Sequence, residues 1–224
     1  MSDHAATTEE RPTPENVEGE APLPRPLPPE VAARRDAALK QVRRYGDPVL
    51  KTKAMAITRF DDELRAEVQR MGQLMDEALG IGLAAPQVGI SHRLLIYRVV
   101  HGGPLSVLIN PVVEWSSKED EWMEEGCLSL PAVHVDVERP VHVRVVAQDP
   151  HGAQQTIEAS GLEARVIQHE MDHLDGVLIL DRTPRGQRKE AMRALREALA
   201  APVALAAPAA SAGAAGPAVP AASA

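Results

Sequence analysis

Only the middle of this 224-residue chain has the composition of something that folds. Residues 1–30 hold seven prolines and seven acidic residues against Arg11 and Arg25. Such a stretch cannot bury enough apolar surface to offset its ordering entropy, so a disordered arm is expected. Ala200–Ala224 holds 14 alanines, four prolines and no charge. An uncharged run of that length raises the question of a membrane span. Pro202, Pro208, Pro217 and Pro220, and the weak hydrophobicity of alanine, argue against one. A flexible tail is expected instead. Met1-Ser2-Asp3-His4-Ala5 lacks the cationic start and apolar stretch of a secretory signal, and no 18-residue apolar run interrupts the rest. The default is a cytoplasmic chain without a membrane segment. The working division is an arm (1–41), a folded domain (42–199) and a tail (200–224).

Charge and cysteine content narrow the classes further. The net charge is −8, of which the first 30 residues carry −5. A nearly neutral domain offers no basic patch for DNA. With 44% hydrophobic residues the whole chain is not disordered. The single cysteine, Cys127, excludes an intramolecular disulfide and a four-cysteine zinc module. It leaves a buried thiol, a nucleophile or a metal ligand.

Periodicity gives the coarse architecture. Val31–Arg44 has helical composition until Gly46-Asp47-Pro48 stops it. Asp61-Asp62-Glu63, then Leu64, Val68, Met71, Leu74, Met75 and Leu79, spell an amphipathic helix with acids in its first turn and Gly80 past its end. From Leu94 to about Ile157 short β-type runs follow: 94–97, 107–109, 133–137 and 141–145. Leu162–Leu174 returns to helical spacing, and Pro184–Leu199 is a charged helix. The fold class expected is α+β: an antiparallel sheet packed around a central helix, with an amphipathic helix before it and a C-terminal helix after it.

That central helix carries His169-Glu170-Met171-Asp172-His173. Residues i and i+4 share a helix face, so both imidazoles can bind one divalent ion with Glu170 beside it. A third ligand is needed. A metzincin would place a histidine at 179, where the chain has Ile179. Glu190 is separated from the pentad by Thr183-Pro184 and sits among surface charges. Upstream, Glu125-Gly126-Cys127-Leu128-Ser129 brings a thiol at a sheet edge, and Gly126 permits close backbone approach. Two histidines, a thiolate and an open position make a catalytic site. A lone cysteine is also commonly a small buried hydrophobe. A Cys–His nucleophile is the competing chemistry, and it leaves the second histidine and Glu170 without roles.

Gly80-Ile81-Gly82-Leu83-Ala84-Ala85-Pro86-Gln87 satisfies G-x-G-x-x-A, but it follows a helix and has no acidic residue about 20 positions on. A dinucleotide site is therefore not expected. Two glycines and small alanines suit a loop pressed against a bound peptide backbone, with Gln87 offering an amide donor.

Taken together, Gly80–Gln87, Glu125–Ser129 and Gln168–His173 resemble the motifs of bacterial peptide deformylases, in the same order and with similar separations. Tyr45–Leu50 and His173–Leu178 extend the likeness over roughly 42–197. The resemblance implies that Cys127, His169 and His173 hold the metal and that Glu170 is the general acid/base. It also implies that Gln87 and the backbone N–H of Leu128 receive the developing oxyanion. Water activated at the metal would attack the formyl group of N-formylmethionyl nascent peptides and release formate. Fe(II) is the metal the family commonly uses, with zinc, nickel and cobalt accepted, and the donor set alone does not choose. Ile81, Met123, Leu162 and Val166 are candidate walls for the methionine side chain, Gly82 and Gly126 for the peptide backbone. Ordinary core packing is the competing account of those apolar residues. Where many members carry an arginine, seven residues past the cysteine, this chain has His134. The helix 184–199 carries Arg185, Arg188, Lys189, Arg193 and Arg196 against two glutamates. The resemblance implies ribosome docking there, and a solvated surface helix is the plainer account. A zinc peptidase and a non-catalytic nascent-chain binder remain the alternatives in function.

Overall fold

The structure, a computed structural model, describes residues 27–100 and 102–200. The expected arm up to residue 26 and the expected tail from residue 201 lie outside the described residues.

The strand run 94–97 explains how the layers stack. All four residues of β2 (Leu94–Tyr97) are buried, the signature of a strand covered on both faces. Leu94 and Ile96 face the helix α2 (Asp62–Glu77), joining a cluster with Leu64, Val68, Met71 and Met75. Leu95 and Tyr97 point the other way, into a cluster with Ala164, Ile167, Met171 and Leu174 of helix α3 (Leu162–Leu174). The sheet between them is antiparallel in the order β1-β2-β3-β6-β7, with β1 at Gly82–Ala84, β3 at Ser106–Ser116, β6 at His142–Gln148 and β7 at Gln154–Ser160. Among the described residues β1 pairs with β2 alone, which leaves its other edge open.

The remaining strands, β4 (Asp120–Cys127) and β5 (Leu130–Pro140), form a separate two-stranded hairpin. The expectation of one sheet is corrected here to two. The hairpin has its own cluster, where Val133, Val135 and Val137 meet Ile179 and Leu180 of the short helix α4 (Ile179–Arg182). Ala191 and Leu195 of α5 (Arg185–Ala200) complete it.

Three local features depart from the sequence expectation. A helix, α1 (Pro29–Leu39), lies inside the stretch assigned to the arm, where helical composition had been read as starting at Val31. Its proline occupies the first turn, where a missing N–H costs nothing, and Ala38 is buried against α2. Gly80–Gln87 is not a loop throughout, for it contains β1 and then a 3-10 turn at Ala85–Val88. The end of α2 turns at Leu79, not at Gly80. Leu79 has φ +58°, with its N–H bonded to Asp76 O and the Gly80 N–H bonded to Met75 O. This is a Schellman closure with leucine in the position that glycine usually takes.

Helix α3 is pinned at both ends. Gly161 precedes it, and Gly176, at φ +73°, follows its cap. A Cβ on Gly176 would stand 2.8 Å from the carbonyl carbon of Lys51. The substitution Gly176→Ala therefore combines a left-handed backbone with a backbone clash, and we expect it to destabilise the fold by more than about 1 kcal/mol. Urea midpoints of the two proteins measure this, and equal midpoints would refute it.

Candidate metal centre

Two elements converge on one point. Cys127 ends β4, and His169 and His173 lie one turn apart on α3. Their ligand atoms are all within 4.8 Å of one another. Cys127 Sγ is 3.3 Å from His173 Nε2. Glu125 Oε2 engages His169 Nδ1 at 2.9 Å, which fixes the ring and leaves Nε2 as its free donor. The two histidines titrate in opposite senses. Burial and the neighbouring His169 and Arg139 push His173 well below its ordinary value, keeping a lone pair available. Burial opposes charge on His169 as well, but Cys127 and Glu125 outweigh it and raise the group. The soft sulfur and two imidazoles, brought together from two elements, fit a divalent transition metal.

Glu170 sits beside this cluster at 4% exposure. Burial pushes its carboxyl up to about 7, partly offset by His169 and Arg139. Among the described residues its Oε2 is buried with no hydrogen-bond partner. Such an oxygen is costly unless something bound at the site supplies a donor. Gly82 makes room for the carboxylate, since a Cβ there would overlap Glu170 Oε1. Gln87 is oriented by its own turn. Its Oε1 accepts from Ala84 N at 2.8 Å, and its Nε2 points to Ser129 Oγ at 3.4 Å and Cys127 Sγ at 3.7 Å. Leu128 follows the cysteine in the two-residue turn to β5.

A cleft of about 650 Å³ opens over these groups. Ile81, Gly82, Met123, Gly126, Leu162 and Val166 all line it, together with Gln87, Leu128 and Glu170. Val166 is buried, whereas Ile81, Met123 and Leu162 are exposed, so the last three are not ordinary core residues. His134 lines the cleft too and packs over Gly126, where a Cβ would meet the imidazole at 3.2 Å.

The residue that sequence reasoning passed over is Glu125. Besides His169 it accepts from Arg139 Nε at 2.6 Å and Nη2 at 2.9 Å, and from Arg165 Nη1 at 2.8 Å. Those hydrogen bonds and charges hold its carboxyl well below the ordinary range although burial works the other way. Arg139 also donates to Asp172 at 2.9 Å, and Arg182 pairs with the same carboxylate. One signal was available: Arg165 stands four residues before His169, on the same buried helix face. Gln168 has a structural task as well, donating to Pro140 O at 2.9 Å and so tying α3 to β5.

The family model for polypeptide deformylase matches residues 39–189. The chain belongs to that family. It is 45% identical over 161 residues to the peptide deformylase of Parafrankia sp. (strain EAN1pec), covering 72% of this chain and 87% of that one. Among solved structures it is similar to a peptide deformylase from Synechococcus elongatus crystallised with actinonin. That comparison has a TM-score of 0.67 and 46% identity, over 71% of this chain and 88% of the other. A Plasmodium falciparum peptide deformylase gives a TM-score of 0.67 at 34% identity, over 70% and 94% of the two chains.

Replacing Glu125 by glutamine keeps an acceptor for His169 but removes the charge facing two buried arginines. We expect a deformylase variant that binds its metal about 10- to 100-fold less tightly. Competition against a chelator measures this, and unchanged affinity would overturn the assignment.

Proposed function

We propose that this metal-dependent deformylase holds one divalent ion through Cys127, His169 and His173 while it hydrolyses the N-formyl group of newly made polypeptides. The observation that carries the reading is the three-ligand cluster with the buried, unpartnered Glu170 oxygen beside it. When bound, the metal supplies Lewis acidity that lowers the pKa of a water and polarises the formyl carbonyl. The protein's own groups do the rest. Glu170, with its carboxyl near neutrality, takes a proton from the attacking water and returns one to the departing amine nitrogen. The Gln87 amide and the Leu128 N–H donate to the oxygen that becomes negative as the formyl carbon turns tetrahedral. The C–N bond then breaks, leaving formate and a free amine.

The cleft walls support the substrate end of the proposal. The open edge of β1 offers main-chain groups to an extended peptide, as in strand addition. Ile81, Met123 and Leu162 supply exposed apolar surface beside it, and Val166 lies deeper. Gly82 and Gly126 keep the wall close to the backbone. Fe(II) is the ion we propose, with zinc, nickel and cobalt as substitutes, in keeping with the family likeness and a mixed thiolate and imidazole donor set. The reaction belongs in the cytoplasm, where formylated chains emerge. Among the described residues no helix is long and apolar enough to cross a membrane.

Glu170→Ala should retain metal and lose turnover by about 10²- to 10⁴-fold on formyl-Met-Ala. Cys127→Ala should lose metal, and unformylated Met-Ala should not be cleaved by either protein or by the parent. Full turnover by the Glu170 variant would sink the mechanism. Cleavage of Met-Ala would favour a peptidase. Metal analysis of protein purified without oxygen tests the choice of Fe(II), and stoichiometric zinc would overturn it.

Docking on the ribosome is a further part of the proposal. All five bases of α5, from Arg185 to Arg196, are exposed, whereas Ala191 and Leu195 anchor its other face on the hairpin. Charge of that kind suits rRNA phosphates. Cosedimentation with ribosomes should drop when the five become alanine, and unchanged cosedimentation would remove this element.

A further inference from the structure

Arg35 and Leu39 sit one turn apart on α1, and both line the same cleft as Glu170 and Cys127. Arg35 precedes the segment that matches the family, which begins at residue 39. The helix is held firmly. Ala38 is fully buried with α2, and Leu39 packs on the cluster that Leu128 also touches. Arg35 stands one helical turn before Leu39, about 6 Å along α1. It is half-buried, and it makes no ion pair or side-chain hydrogen bond among the described residues. Every other arginine lining the cleft is committed: Arg165 is bound to Glu125, Val137 O and Glu121 O.

Glu125 is neutralised by its arginines, and Glu170 lies at the metal ligands. Glu124 is exposed on β4, opposite Asp136 in the hairpin register and four residues from Leu128. At about 3.3 Å per strand residue it lies some 13 Å along β4 from the Leu128 turn, towards Leu162 and the start of α3. Glu30 and Asp36 also stand on α1 but do not line the cleft, so Arg35 is the charged side chain that this helix contributes to it. His134, on β5, also lines the cleft, over Gly126.

We infer that Arg35 is a specificity residue that favours peptides carrying an acidic side chain within the first few residues after the formylmethionine. This rests on the deformylase reading of the site. A peptide whose formyl group lies at the Cys127–His169–His173 cluster must leave the cleft past one of its walls, and the α1 wall offers a partly desolvated guanidinium with no ion-pair partner among the described residues. A carboxylate there gains a charge-assisted hydrogen bond, while an amide of the same shape gains much less. Arg35 touches no reacting atom, so its influence falls on substrate binding and not on the chemical step.

The test compares formyl-Met-Ala-Glu-amide with formyl-Met-Ala-Gln-amide, and the same pair with the charged residue moved one place either way. The C-terminal amide removes the terminal carboxylate as a competing source of charge. The parent enzyme should prefer the glutamate peptide by about two- to fivefold in kcat/KM, the range of a solvent-screened charge pair, and through KM alone. The preference should shrink as salt is raised. Arg35→Gln should abolish it, and Arg35→Glu should shift preference to a lysine peptide. A parent enzyme without preference, or a preference that survives in Arg35→Gln, overturns the inference. Binding of the N-acetylated peptides, followed by calorimetry, measures the same charge preference without turnover. Absence of turnover on every formylated peptide would count against the deformylase reading, and the binding data would still decide the role of Arg35.

Discussion

One buried carboxylate holds the site together. Glu125 lies on the hairpin, His169 and Arg165 on α3, and Arg139 on the second strand of the hairpin, and all four meet within hydrogen-bond distance. Burying this many charges is expensive, and the arrangement is tolerable only because each is paired with good geometry. Removing a single partner would strand the others, at a cost of about 3–5 kcal/mol. The same contacts set where the candidate metal ligands stand. The hairpin that ends in Cys127 is carried to α3 by these ion pairs as well as by apolar packing, and the ring of His169 takes its orientation from Glu125.

The large elements were legible because their burial is apolar. Leu162–Leu174 forms the helix that its spacing announced, and the 94–97 run is a strand covered on both faces. β4 escaped notice for the opposite reason. Seven of its eight residues are outside the buried class, and the buried one is Glu125, so it shows no hydrophobic alternation. β1 is three residues long, too short for a period to show. Helix α1 was legible in its composition from Val31, but it starts two residues earlier, at a proline within a stretch whose prolines and acids placed the arm boundary too late. What rescues it is Ala38 finding α2, a contact made with residues far along the chain.

The site divides in the same way. His169, Glu170 and His173 could be read from motif spacing, because two imidazoles share one helix turn, and the family likeness implied Cys127 as their companion. Their support could not be. Arg139 and Asp172 are 33 residues apart and join only in the folded chain. The glycines were read for what they leave open to a peptide, and Gly82 has a second task that the sequence does not display, which is to make room for the side chain of Glu170.

The division of the core into separate clusters bears on how the molecule comes apart. Cys127 packs with the hairpin, α4 and α5, whereas Ile167, Met171 and Leu174, on the helix of the two histidines, belong to the cluster beneath the five-stranded sheet. The two regions are candidates for separate cooperative opening units. An ion held by Cys127 on one side and by His169 and His173 on the other would act as a rivet between them, binding only when the two are closed against each other. Occupancy of such a site and the cohesion of the fold would then be one equilibrium viewed from two ends.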